Sequence, residues 1–182
     1  MTTAIKGASV GARIDFVKQR FGEDTWQKVL SHLSEDDQKT LTGNIIVLSF
    51  YPLALNARLD EAIAKATDPN NPIRVYRALG RASAEANLTS VHKTFILGDS
   101  PHRVLKRYPS VRKIYYSDGT GHYEKVGEKE GFLELKDADF TLEDDESTAG
   151  YFERGIELMG GKNVKVEVTR KPRSCEYRFS WE

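Results

Sequence analysis

Cysteine is nearly absent from this 182-residue sequence, with Cys175 standing alone. A single cysteine excludes an intrachain disulfide and any metal site built from several thiolates. Long apolar runs are missing too: no segment approaches the ~18 consecutive apolar residues of a membrane-crossing helix, and Met1 to Gly11 has one lysine and no apolar stretch of signal-peptide length. A cytoplasmic, unexported chain without a membrane span is expected. Nor is there an excess of either charge. Lys+Arg and Asp+Glu number 27 each, so no global field draws the chain to nucleic acid or anionic lipid, and neither is expected as a partner. Catalytic signatures are lacking as well. There is no GxSxG, HExxH, Walker loop or CxxC, and Gly119-Thr120-Gly121 lacks the third glycine and the strand-to-helix setting of a dinucleotide loop. These absences remove the hydrolase and nucleotide-binding classes, and a non-enzymatic chain is expected. His32, His92, His102 and His122 fall on four separate elements without a second ligand-type residue at ligand spacing, so none is expected to hold a metal.

What is present is enough apolar residue, 39% of the chain, for one good core. A single domain over 1–182 is expected, helical over 1–100 and mixed over 101–182. Ile14, Val17 and Phe21, then Trp26, Val29, Leu30 and Leu33, repeat at helical spacing on either side of Gly22. Asn44 to Tyr51 is apolar enough for a buried strand or the start of a helix. Pro52 to Ala66 reads as a helix, and Asp68-Pro69-Asn70-Asn71-Pro72 as a turn. A long helix then runs from Ile73 to Phe95, with a slender middle at Gly80, Ala82, Ser83, Ala84 and Ala86 that permits close helix contact or leaves room for a ligand. Ser100-Pro101 opens a short helix that Pro109 ends. Lys113–Tyr116, His122–Val126 and Phe132–Leu135 read as a three-stranded meander. Glu143-Asp144-Asp145-Glu146 reads as a solvated lead into the last helix, and Lys106-Arg107 with Arg112-Lys113 as a solvated basic edge. Val164 to Val168 and Cys175 to Trp181 alternate as two final strands. The fold class is α+β: a helical N-terminal part and a C-terminal antiparallel sheet carrying one packed helix.

The closing order, GYFxxGIELMGGxxVxVEV followed by CxYxFxW, resembles the end of the 4-vinyl-reductase domain, a small sensory module related to haem-NO-binding domains and TRAPP-complex subunits. In metal-binding members of that family, zinc is held by cysteines and a glutamate. Cys175 and Glu167 match two of those positions, whereas Ser147 or Thr148 and Arg170 stand where two cysteines would be, so no zinc is expected. KGxxVGxxIDFVKQRFGEDTWQKVL resembles the opening of haem-NO-binding domains. His92 lies roughly where a proximal ligand would fall. Their haem-propionate motif YxSxR occurs as Tyr108, Ser110 and Arg112, but the hairpin region separates it from the glycine-containing helix that it directly precedes in those proteins. No cofactor is expected.

The resemblance implies a non-enzymatic sensor of a small apolar ligand that acts as a homodimer and signals to a protein partner. Tyr76, Gly80, Ala84, Phe95 and Tyr151 are the expected pocket residues, and Phe16, Phe21 and Trp26 the expected dimer surface. A TRAPP-like scaffold that binds no ligand, marked by an apolar patch left over on the N-terminal helices, is the alternative. A haem-based gas sensor is the third reading.

Overall fold

In a computed structural model, which describes residues 2–89, 93–96 and 100–182, the chain is a mixed α+β structure. Strand β1 (Ala4–Lys6) leads directly into α1 (Gly7–Phe21), followed by α2 (Glu23–Ser31), α3 (Glu35–Thr42), β2 (Phe50–Pro52), α4 (Leu53–Thr67) and α5 (Pro72–Leu88). The second half comprises α6 (His102–Tyr115), β3 (Thr120–Lys125), β4 (Glu130–Lys136), α7 (Leu142–Leu158), β5 (Lys165–Lys171) and β6 (Ser174–Ser180). Gly22, at φ 85°, separates α1 from α2 as its position between two apolar stripes suggests. Val10, Val17, Trp26, Val29, Leu59 and Ile63 close the N-terminal core.

The C-terminal sheet has the antiparallel order β3-β4-β6-β5. Its register places Leu133 opposite Tyr177 and Leu135 opposite Cys175, so the alternation read from Cys175, Tyr177 and Phe179 sends all three to one face. That face receives α7. Phe152 sits edge-on to Tyr177 at 5.2 Å, to Phe179 at 5.1 Å and to Tyr108 at 4.5 Å, making the aromatic centre of this second core.

Several expectations change. Helix α5 stops at Leu88 rather than reaching Phe95. The segment 113–116 is not a strand: α6 runs through Pro109 to Tyr115. A proline inside a helix forfeits one backbone bond, and here its ring rests against β3, where a Cβ on Gly121 would meet Pro109 Cβ at 3.0 Å. The run Asn44–Tyr51 is mostly loop rather than a buried strand or the start of a helix, with Phe50 and Tyr51 in the short edge strand β2. Ile46, Val47 and Leu48 are 56%, 58% and 75% exposed, because the loop's backbone serves to cap α1: Gly7 N donates to Ser49 O and Ala8 N to Val47 O. The acidic run 143–146 lies inside α7, capped by Thr141, and Asp144, Asp145 and Glu146 are buried rather than solvated.

The two halves meet along α5 and α7. A Cβ on Gly80 would lie 1.7 Å from Ser147 O, and one on Gly150 would lie 2.1 Å from Arg77 O. These glycines exist for backbone contact, and the slender middle of α5 is read as helix packing. Beside the contact, Arg77 spans Glu146 at 2.8 Å and Glu153 at 2.5 Å, and Arg81 reaches Glu157 at 2.6 Å. Gly80→Ala or Gly150→Ala should therefore cost about 3 kcal/mol or more, at the upper end of overpacking penalties. Gly11→Ala, where nothing lies within 4 Å, should be neutral or stabilising by about 0.5–1 kcal/mol. Urea denaturation checks both. Equal effects at the three positions would contradict the contact.

Candidate functional site

Beside the α5–α7 contact lies a partly open cavity of about 100 Å³, walled by α1, α5, α6 and α7. From α1 come Ala8, Ala12 and Arg13, and from α6 Tyr108, Val111, Arg112 and Tyr115; α7 gives Ser147, Thr148 and Tyr151, and α5 gives Gly80 and Ser83. The spacing explains the α6 contribution. Tyr108 and Arg112 are four residues apart on one helical face, whereas Ser110, between them, is exposed. Two members of the YxSxR match thus reach the cavity and the third does not. Arg112 is also not the solvated edge expected of it, being 2% exposed.

Of the residues expected to line a pocket, Gly80 and Tyr151 border this cavity. Tyr76 belongs to the N-terminal core and Ala84 to a small cluster with Leu88 and Val104. Phe95 ends a 3₁₀ turn, Lys93–Phe95; its side chain lies outside the described residues, as does His92. Of the dimer candidates, Trp26 is 2% exposed and committed to the core, Phe21 is exposed, and Phe16 packs edge-on to Phe21 at 6.0 Å.

The buried charges beside the cavity were not foreseen. Arg13 Nε donates to Asp60 Oδ1 at 3.1 Å, and Arg13 Nη2 reaches Asp60 Oδ2 at 3.4 Å and Ser147 Oγ at 3.0 Å. Burial raises the Asp60 carboxyl to about 6 against the pull of Arg13. Their sequence signal was a charge set inside an apolar stripe: Arg13 between Val10 and Val17, Asp60 between Leu59 and Ile63. Arg112 stacks on Tyr116, with 3.8 Å to the ring centroid, and faces Phe140 at 5.4 Å. Its Nε and Nη2 have no hydrogen-bond partner. Tyr116 donates to Asp144 Oδ1 at 2.8 Å, leaving Asp144 Oδ2 unpartnered.

On the sheet side, Arg170 Nε pairs with the buried Asp145, and Tyr177 Oη lies 3.5 Å from Asp145 Oδ1. Burial, reinforced by Asp144, lifts Asp145 to about 7, while Arg170 opposes the rise. Burial also pushes the Cys175 thiol to about 12, so it is a poor thiolate. The positions matched to zinc ligands are not assembled: Cys175 faces the core, Glu167 is exposed, and Ser147 and Thr148 border the cavity instead.

The family described as "Protein of unknown function (DUF2378)" matches residues 17–182, and the chain belongs to it. No curated protein matches. Among solved structures, an Fe(II) unliganded H-NOX protein from K. algicida is 14% identical, with 98% of this chain and 97% of that one covered at a TM-score of 0.75. An H-NOX protein from S. oneidensis in the Fe(II)NO ligation state is 14% identical, covering 98% of this chain and 99% of that one at a TM-score of 0.72. The fold is therefore H-NOX-like, as the resemblance of the N-terminal sequence to haem-NO-binding domains implied.

The described residues do not fit a haem. The cavity of about 100 Å³ is well below the roughly 300–1,000 Å³ of drug-sized ligand sites. No described histidine borders it. His102 is occupied elsewhere, its Nε2 against Glu128 O at 2.8 Å and its Nδ1 against Tyr123 Oη at 2.5 Å. Burial raises the Tyr108 and Tyr151 hydroxyls, which disfavours a phenolate ligand. Among the described residues no group of three or more His, Cys, Asp and Glu could hold a metal ion, and no helix is long and apolar enough to cross a membrane.

The raised carboxyls fix the sign of a pH effect. Asp60 at about 6 and Asp145 at about 7 retain protons in the folded chain at pH values where an unfolded aspartate, near 3.8, has lost them. The native state then binds more protons than the unfolded state, and stability falls as pH rises through that window. The lowered carboxyls, Asp37 and Glu157, contribute stability already present above their model-peptide values of 3.8 and 4.5, so they do not offset the fall. Urea midpoints should be lower at pH 8 than at pH 5, and Asp145→Asn should flatten the difference. A midpoint that climbs over this range would contradict the assignment.

Proposed function

We propose that this member of the DUF2378 family is a non-enzymatic sensing module that takes a small molecule into the cavity between α1, α5, α6 and α7 and passes the bound state to a partner. The observation that carries this is the cavity's position. It lies where the helical half, the α5–α7 contact and α6 converge, so its contents touch four helices at once. A molecule bound there acts on the α5–α7 seam through Ser147 and Tyr151, and on α1 through Arg13. Its affinity for one arrangement of these helices over another is the free energy available for signalling. The H-NOX-like fold supports a sensing role by analogy of architecture. The wall differs from the apolar pocket implied by the sequence resemblance, because arginine, serine, threonine and tyrosine share it with aliphatic groups. Kinship with 4-vinyl-reductase and TRAPP-like domains is supported by the terminal glycine-helix and two-strand order alone.

Native mass spectrometry of freshly purified protein should show a bound small molecule that is lost on denaturation. Ala12→Leu, which adds three carbons at the wall, should abolish it. Repeated absence of any adduct from wild-type protein would contradict the reading.

The interaction-module reading is favoured by a separate observation, the exposed run Ile46, Val47 and Leu48 with Phe50 beside it. We propose that the chain pairs as a homodimer, through either this loop or the Phe16–Phe21 pair. Light scattering should report about twice the 20.5 kDa chain mass. Comparison of Leu48→Asp with Phe21→Glu identifies the surface by which variant becomes monomeric. A wild-type monomer at tens of micromolar would remove the proposal.

A further inference from the structure

Helix α6 carries five cations, Arg103, Lys106, Arg107, Arg112 and Lys113, and is the one α-helix among the described residues without an Asp or Glu. Arg112 turns inward, whereas the other four are exposed. Positions 103, 106, 107, 110, 113 and 114 recur at three and four residues, so they form a single stripe about 16 Å long, opposite the buried Val104, Leu105, Tyr108 and Val111. The arginines of α5 and α7 are held by carboxylates, among them Arg77 by Glu146, Arg81 by Glu157 and Arg154 by Glu85. Arg103, Lys106 and Lys113 form no ion pair with any described residue.

Two features separate this stripe from an ordinary solvated face. Its charge has one sign along the whole helix, whereas a solvated helix mixes signs and gains from i, i+4 pairs; Arg103 instead meets like charges at Lys106 and Arg107, a cost that an anionic partner relieves. Its reverse side is a wall of the cavity, through Tyr108, Val111 and Tyr115. The kind of partner follows from what surrounds the charge. Lipid is disfavoured, because the apolar side of α6 is committed to the core and leaves Ile114, 52% exposed, as its one exposed aliphatic group. Nucleic acid is disfavoured by the zero net charge of the chain. A protein helix with carboxylates at helical spacing fits the stripe in period and length. Ser110 at its middle is small enough to let a second backbone approach, and Ile114 gives an apolar contact at its end.

We propose that the exposed face of α6 docks an acidic helical segment of a partner protein, with Arg103, Lys106, Arg107 and Lys113 facing its carboxylates. This rests on the reading of the chain as a module that signals to a partner, and it places that partner on the helix whose other face borders the cavity. A ligand that moves α6 moves the stripe with it, and by reciprocity the docked segment alters the affinity for the ligand.

Heteronuclear NMR of the full chain, titrated with a synthetic helical peptide that carries glutamates along one face, tests the docking. Saturable shift changes centred on Arg103, Lys106, Ser110, Lys113 and Ile114 are expected, with affinity falling as salt is raised. Lys106→Glu combined with Lys113→Glu should weaken binding about tenfold or more, because two attractive contacts become repulsive. Ser110→Glu, which sets a carboxylate beside Lys106 without removing a cation, should also weaken it, and it carries the test if the double variant fails to fold. Lys28→Glu combined with Lys39→Glu, exposed lysines on α2 and α3, should leave binding unchanged. Shifts centred on another face, undiminished binding by the folded α6 variants, or an equal loss in the Lys28 and Lys39 variant overturns the proposal. So does tighter binding to phosphatidylglycerol vesicles or duplex DNA than to the peptide. Failure of the peptide, while native mass spectrometry still finds a small-molecule adduct, overturns the docking and leaves the sensing proposal standing. Peptide binding on α6 without any adduct supports the docking and removes the sensing role, and failure of both overturns both.

Discussion

The structure depends on the approach of α7 to α5 at two glycines. Where a side chain on Gly80 would stand, the Ser147 carbonyl already stands, and Gly150 admits the Arg77 carbonyl in the same way. Helices at such separation cannot slide without carrying the sheet along, because α7 is also the helix on which Phe152 anchors Tyr177 and Phe179. The helical half and the sheet half are thereby joined through backbone rather than through adjustable side chains. The ion pairs of Arg77 and Arg81 flank this seam and fix its register, though their partial exposure limits what they add to stability.

The cavity is a consequence of that seam. Bringing Ser147, Thr148 and Tyr151 to α5 places them facing α1 and α6, whose own residues cannot fill the remaining angle. The buried charges are what this junction demands. Arg13 donates across it to Ser147 and holds Asp60 within the helical half, and Arg112 lies among Tyr116 and Phe140 with two donors buried and unpartnered. On the proposed reading, a ligand in a cavity that adjoins the main internal seam converts occupancy into a shift of one half against the other.

Much of the architecture was legible in the sequence, for particular reasons. The spacing of Val17, Trp26, Val29 and Leu30 and the break at Gly22 gave α1 and α2. The alternation from Cys175 to Trp181 gave the last strand and its buried face, and the α+β class followed. The failures also have physical causes. Pro109 was read as a helix stop because local sterics weigh against an internal proline, whereas packing on β3 beside Gly121 overrides them. The acidic run at 143–146 was read as solvated because charge normally faces water. Here Tyr116, Arg170 and Arg77 supply partners from three other elements, and no local pattern can report partners so distant. Of the expected pocket residues, Gly80 and Tyr151 border the cavity, while Arg13 and Arg112 are charges on apolar faces, a signal outweighed by the expectation of surface exposure.

On the proposed reading, the junction of α1, α5, α6 and α7 holds a small-molecule ligand. A high-resolution crystal structure of the protein as purified is the direct test. Non-protein density inside the cavity, with Gly80 still in contact with Ser147, is the expected result. A cavity closed by side chains, or one holding ordered water alone, would contradict it.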